Sequence, residues 1–305
     1  AAEVRGVPSG VHFGVSGYSG TVEMRIERAF VTGAAGCSAM LRPLCALMGR
    51  EGNALRTVRL GGNGAWAAGD GATLAAALGA ASCVVAELDV SGSGLGADEA
   101  VALVSAGRAL QTLRLGEWVM PVGELRSGES VSTGGQAVGE ADGAVVGALL
   151  KASTSLTTLD LSGSMCAPGA LARILEGLRA SAAPLAELRL SGLRPGSDGS
   201  VFGPEVCADL VQSVLTLAAH LRHLDLGGQA VGTDEALAYV STCRALLTLK
   251  LGEWVMPVGE LRSGESVSTG GQAVGEADGA VVGALLKTST SLSTLDLSGS
   301  SCAAE

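Results

Sequence analysis

Residues 221–240 read LRHLDLGGQAVGTDEALAYV. Leu221, Leu224 and Leu226 hold the first, fourth and sixth places of a six-residue frame. In an extended chain, side chains alternate between faces, so places four and six turn inward and places three and five outward; the apolar residue at place one turns inward at the entry to the strand. Gly227 and Gly228 then mark a turn. Thr233, Asp234 and Glu235 suit the start of a helix, where a side-chain oxygen and negative charge meet free N–H groups. This stretch predicts a strand, a turn and a helix in one unit.

The frame recurs along the chain. It reads TVEMRI (21–26), LRTVRL (55–60), VAELDV (85–90), LQTLRL (110–115), LTTLDL (156–161), LAELRL (185–190), LRHLDL (221–226), LLTLKL (246–251) and LSTLDL (292–297). The segments between frames carry apolar residues at helical spacing, such as Leu171, Ile174, Leu175 and Leu178. One such unit cannot bury its own apolar face, so units must stack on one another.

Frame spacings run 34, 30, 25, 46, 29, 36, 25 and 46 residues, so the pair 25, 46 occurs twice. The cause is a duplication: LGEWVMPVGELRSGESVSTGGQAVGEADGAVVGALLK stands at 115–151 and again, letter for letter, at 251–287. Alignment on the shared QAVG makes 117–134 and 253–270 extra to a plain unit. These segments are expected to be loop insertions after the strand, mobile or hairpin-like from Gly123 and Gly259 onward. Each carries a Trp-Val-Met run, Trp118, Val119 and Met120 or Trp254, Val255 and Met256. Trp and Met are enriched in the centres of protein interfaces. The runs therefore either project to bind a partner or fold back to cover the end of the strands.

The frame resembles the leucine-rich-repeat family, and its helix-bearing units resemble the ribonuclease-inhibitor-like branch. The resemblance covers roughly 21–300. It implies an α/β solenoid, curved, with a parallel sheet on the concave face and helices on the convex face, preceded by a cap or extended lead-in over 1–20. The family commonly places Asn or Cys three residues after the last apolar of the strand. Here that place holds Asn63, Ser93, Trp118, Ser164, Leu193, Gln229, Trp254 and Ser300, which predicts an irregular turn ladder.

The fifth place reads Arg25, Arg59, Asp89, Arg114, Asp160, Arg189, Asp225, Lys250 and Asp296. From Arg59 onward the sign alternates. Adjacent strands lie about 4.8 Å apart, so opposite charges are expected side by side. They form either a self-satisfied ladder that fixes register or a surface for a mixed-charge partner.

The totals narrow the function. A net charge of −10 opposes nucleic-acid binding and adsorption to anionic lipid. Charged residues are 16 %, below the roughly 25 % usual for soluble domains, which suggests that some surface is covered. Long uninterrupted apolar stretches are absent, so no membrane span is expected. Seven cysteines without a C-x-x-C read as thiols in a reducing intracellular compartment, the cytoplasm or an organelle. VTGAAGCSAM (31–40) lacks glycines that a dinucleotide loop needs, and His220 and His223 have no metal-like spacing. No enzyme, cofactor or metal is expected. The reading is a non-catalytic protein-interaction scaffold, as a subunit of a larger assembly. The alternative is a regulatory repeat protein of the GTPase-activating or sensor type.

Overall fold

The computed structural model describes residues 13–18, 21–26, 38–195 and 204–301, with side chains over 41–195 and 210–301. It is a mixed α/β chain of helices and mainly parallel sheets. The chain divides into two compact units, Ala1–Arg126 with Val138–Leu149, and Ser127–Ala137 with Leu150–Glu305. Residues 1–12, most of the segment 31–40 and the side chains of Arg25, Cys37, Cys207 and Cys302 lie outside the described part.

In the first unit, β1 (Phe13–Tyr18) and β2 (Thr21–Ile26) form an antiparallel hairpin. There follow α1 (Ser38–Met48), β3 (Leu55–Arg59), α2 (Asp70–Leu78), β4 (Glu87–Asp89), α3 (Ala97–Ala106) and β5 (Thr112–Arg114). Strands β2 to β5 run parallel in chain order, with Arg59 beside Asp89 and Asp89 beside Arg114. Strand β6 (Val119–Met120) turns back antiparallel on β5, and α4 (Val122–Ser127) follows.

Next come β7 (Ser130–Ser132), β8 (Ala137–Val138), α5 (Glu140–Ala152), β9 (Thr158–Asp160), β10 (Met165–Cys166), α6 (Pro168–Ala180) and β11 (Glu187–Arg189). The chain continues through α7 (Pro204–Thr216), β12 (His223–Asp225), α8 (Thr233–Thr242), β13 (Thr248–Lys250), β14 (Val255–Met256), α9 (Val258–Ser263), β15 (Ser266–Ser268), α10 (Glu276–Thr288) and β16 (Thr294–Asp296). In the second unit β7, β9, β11, β12 and β13 are parallel, β14 is antiparallel at the edge, and β15 pairs with β16 alone.

Every frame contains a strand. The fourth-place residues Val58, Leu88, Leu113, Leu159, Leu188, Leu224 and Leu249 are all at most 2 % exposed. The expected alternation thus sets which residues face the helices.

The extra segments are not loops. Residues 117–134 fold as a strand, a helix and a second strand, β6, α4 and β7. Strand β7 sits in register with β9, Ser130 beside Thr158 and Ser132 beside Asp160. GESVST (128–133) is therefore a frame in its own right, and so is GESVST (264–269) through β15. The long spacings of 46 resolve into 18 and 28. Glycine and threonine at places one and six hide the pattern. Buried Thr133 meets Ser164 of the next turn hydroxyl to hydroxyl, so a hydrogen bond stands where another frame packs leucine.

The aspartates at the fifth place also shape the turns. One carboxylate oxygen of Asp89, Asp160, Asp225 and Asp296 accepts the N–H two residues on, at 2.8–3.0 Å. This is an Asx turn. Gly61 lies against such a turn on the neighbouring strand: a Cβ there would stand 2.5 Å from Ser91 Oγ and 2.8 Å from Asp89 Oδ1. At the place where the family commonly has Asn, Asn63 donates to Leu60 O at 2.7 Å, and Gln229 donates to Leu190 O and Leu193 O at 3.1 and 3.0 Å. The turn ladder is irregular in composition, and at these two places side-chain amides meet its carbonyls.

Arg126, in α4, is the clamp between the short unit and the helix before it. Its guanidinium donates to Leu110 O at 2.8 Å, Gly107 O at 3.0 Å and Val104 O, all at the C-terminal end of α3. Arg262 repeats this at the end of α8, with Val240, Cys243, Arg244 and Leu246 carbonyls. A cation there meets unpaired carbonyls and the negative end of the helix dipole. Burial lowers the pKa of both guanidinia from the usual value. Replacing Arg126 by Met keeps the apolar stem and removes these bonds. The expected loss is about 2 kcal/mol in urea unfolding, partly restored in Arg126→Lys, whose ammonium cannot fork between the same carbonyls.

Candidate functional site

The outward places of the strands build the candidate surface in each unit separately. In the first unit, Thr57, Arg59, Glu87, Asp89, Thr112 and Arg114 floor a shallow depression of about 170 Å³ with Val119 beside them. In the second, Glu187, Arg189, His223, Asp225, Thr248 and Lys250 floor one of about 260 Å³ beside Val255. The two differ in detail but share their plan: a mixed-charge floor and one exposed valine.

The antiparallel strands β6 and β14 place those valines. Val119 stands opposite Arg114, and Val255 opposite Lys250. Val119 is 55 % exposed and Val255 is 52 % exposed. Their neighbours are not. Trp118, Met120, Trp254 and Met256 are buried, at most 4 % exposed. The Trp-Val-Met run alternates like any strand, so only its middle residue faces outward. Of the six residues proposed from sequence to meet a partner, Val119 and Val255 are on the surface, and the two tryptophans and two methionines cover the core.

The charge ladder is present in two runs. Arg114 lies 3.7 Å from Asp89, Arg189 lies 3.9 Å from Asp160, and Lys250 lies 3.7 Å from Asp225. Arg189 also bonds Glu187 on its own strand, at 2.6 Å, which raises its pKa. Arg59 sits in register with Asp89. The runs are broken where the short units enter. Ser132 of β7 is the parallel neighbour of Asp160 on the side away from Arg189. Ser268 of β15 is the neighbour of Asp296, donating to it at 3.3 Å, so Lys250 is not. His223 spends a ring nitrogen on Thr248 Oγ1 at 2.8 Å. These exposed pairs are worth little energy, roughly 0–1 kcal/mol each, and leave the groups open to a ligand.

A buried carboxylate lies close to Gly116, two residues before Trp118. Asp142 is buried at the start of α5; its Oδ2 accepts Gly139 N–H at 3.0 Å and its Oδ1 has no partner. A Cβ on Gly116 would lie 3.5 Å from that Oδ2. Burial pushes the Asp142 pKa up to about 6, against the pull of the Gly139 bond. Asp278 has the same setting, with Gly275 at 3.0 Å, and is raised for the same reason. The spacing Gly-x-x-Asp after QAVG was the available signal.

No family model matches the chain, and no curated protein does. Among solved structures, the chain is similar to the tropomodulin C-terminal domain from Caenorhabditis elegans. The identity is 11 %, over 67 % of this chain and 92 % of that one, with a TM-score of 0.32. Among the described residues, no helix is long and apolar enough to cross a membrane, and Cys45, Cys83 and Cys243 are free thiols.

Two outcomes follow. Trp118→Ala should lower unfolding free energy by about 3 kcal/mol, whereas Val119→Ala should change it by less than about 0.5 kcal/mol, both read by chemical denaturation. Asp142 has a folded pKa of about 6 and an unfolded one of about 4. The unfolded state therefore binds fewer protons in that interval, and the Asp142 contribution to stability is present below pH 4 and lost as pH rises through 6. Wild type should gain stability relative to Asp142→Asn between pH 7 and pH 4.5.

Proposed function

We propose that this chain is a non-catalytic protein-interaction scaffold of the leucine-rich-repeat type, a solenoid related to the ribonuclease-inhibitor-like branch. Its partner is a protein with both charges and an apolar group on its binding face. The supporting observation is that one plan recurs at β3–β6 and at β11–β14: acidic and basic side chains on the strand faces, and a half-exposed valine set beside them by an antiparallel strand. An isolated exposed valine needs no explanation; the same valine at the same edge of two charged depressions is a better candidate. Two such sites in one chain engage a two-site partner with an avidity beyond either alone. A reducing intracellular compartment suits the buried thiols of Cys166 and Cys243; burial holds the Cys243 thiol up at about 11 and therefore protonated. Membership of a larger assembly fits the low charge fraction.

Val119→Glu and Val255→Glu test this reading. Each single variant should retain wild-type stability, because the side chain is already in water. Each should weaken co-purification of native partners, and the double variant should lose it. Arg173→Gln, on the exposed face of α6, should leave it unchanged. Equal recovery of partners by the double variant and the wild type would sink the proposal.

A further inference from the structure

The two valine-marked depressions stand on equivalent strands, β3–β6 and β11–β14, and the duplication makes most of their floors alike. Asp89 and Asp225, Thr112 and Thr248, and Val119 and Val255 hold matching places, and Lys250 stands where the first floor has Arg114. The third place of the central strand differs in kind. Strand β4 puts Glu87 there, and β12 puts His223.

The surroundings of Glu87 leave its charge unmatched. It stands in register between Thr57 and Thr112. Among the described residues its carboxylate has one partner, the Thr57 hydroxyl, which donates to Oε2 at 3.2 Å. The basic residues of this floor lie one row further along, on either side of Asp89: Arg59 in register with it, and Arg114 at 3.7 Å. A strand rises about 3.3 Å per residue, so third-place and fifth-place rows are roughly 7 Å apart. One end of the first floor is thus acidic, and the other carries two cations for one aspartate. The second floor pairs the same groups internally. Its glutamate is on β11, where Glu187 Oε1 takes Arg189 at 2.6 Å. Asp225 has Lys250 at 3.7 Å, and the His223 ring engages Thr248 Oγ1 at 2.8 Å.

We infer that Glu87 makes the first depression a receptor for a basic side chain, a preference that the second depression lacks. The occupant is a protein segment with a lysine or arginine two residues from an apolar side chain, since in an extended segment such residues share a face. The apolar group meets Val119, and the cation meets Glu87, itself exposed. Val119 is two strands from β4, about 10 Å, which the residue spacing of about 7 Å and the long stem of the basic side chain together span. The opposite placement would set the cation against Arg59 and Arg114. This assignment rests on the reading of the depressions as partner surfaces and deepens it: the two docking segments of a two-site partner are not interchangeable.

The test titrates the methyl-labelled whole chain with two blocked tripeptides, acetyl-Leu-Gly-Lys-amide and acetyl-Leu-Gly-Glu-amide, at low salt, where exposed charges are least screened. The lysine peptide should shift the Val119 methyl signals saturably, with a midpoint about threefold below that at Val255, as suits one exposed ion pair. The glutamate peptide should show no such preference. Glu87→Gln should level the two sites, and His223→Glu should bring the Val255 midpoint down to that of Val119. Equal midpoints in the wild type overturn the assignment, as does a preference that survives Glu87→Gln; both results leave the partner-surface reading standing. No saturable shift at Val119 overturns the assignment as well, and the partner-surface reading is then decided separately by recovery with Val119→Glu and Val255→Glu.

Discussion

The sixth residue of a frame donates its backbone N–H to the carbonyl of the fifth residue of the next frame. Leu60 donates to Asp89, Val90 to Arg114, Thr133 to Asp160, Leu161 to Arg189, Leu190 to Asp225, Leu226 to Lys250 and Thr269 to Asp296, at 2.6–3.0 Å. These strands are mostly three residues long and cannot satisfy their own backbone groups. Each is therefore held by its neighbours. Stability in such a chain is close to a sum of unit terms and interface terms. The Asx turns reinforce the arrangement, since one oxygen of Asp89, Asp160 and Asp225 fixes the exit of its own strand while the other faces the cation on the next.

That constraint explains what the sequence makes visible. A leucine at places four and six is demanded by burial, and the nine regular frames can be read directly. The two frames at Gly128–Thr133 and Gly264–Thr269 cannot, because they meet the same N–H-to-carbonyl requirement without leucine. Thr133 and Ser164 bury hydroxyls against each other, and a hydroxyl in a glycine-rich stretch reads as loop. The spacing of 46 held the missing information: it is long for one unit and fits two. The clamp at Arg126 was illegible for another reason. Its acceptors are main-chain carbonyls, which leave no mark on side-chain identity.

The candidate surface was half legible. The alternating charges follow from the frame, and their pairing follows from strand spacing. Their interruption at Ser132 and Ser268 depends on the hidden frames. The tryptophans were the reverse case. Their residue type suggested an interface, but position decides: beside β5 and β13, successive residues of an extended run face opposite ways. Composition favours Trp118 as the anchor, but geometry buries it and leaves Val119 on the surface.

A duplication copies a unit's own inward face and its own turn. TSLTTLDLSGS at 154–164 and its counterpart at 290–300 have the same strand, the same Asx turn and the same serine after it. Only the first has Arg189 O above Leu161 and an arginine beside its aspartate. Because sequence is held nearly constant, the exposure of Leu297 is a property of its surroundings rather than of the leucine.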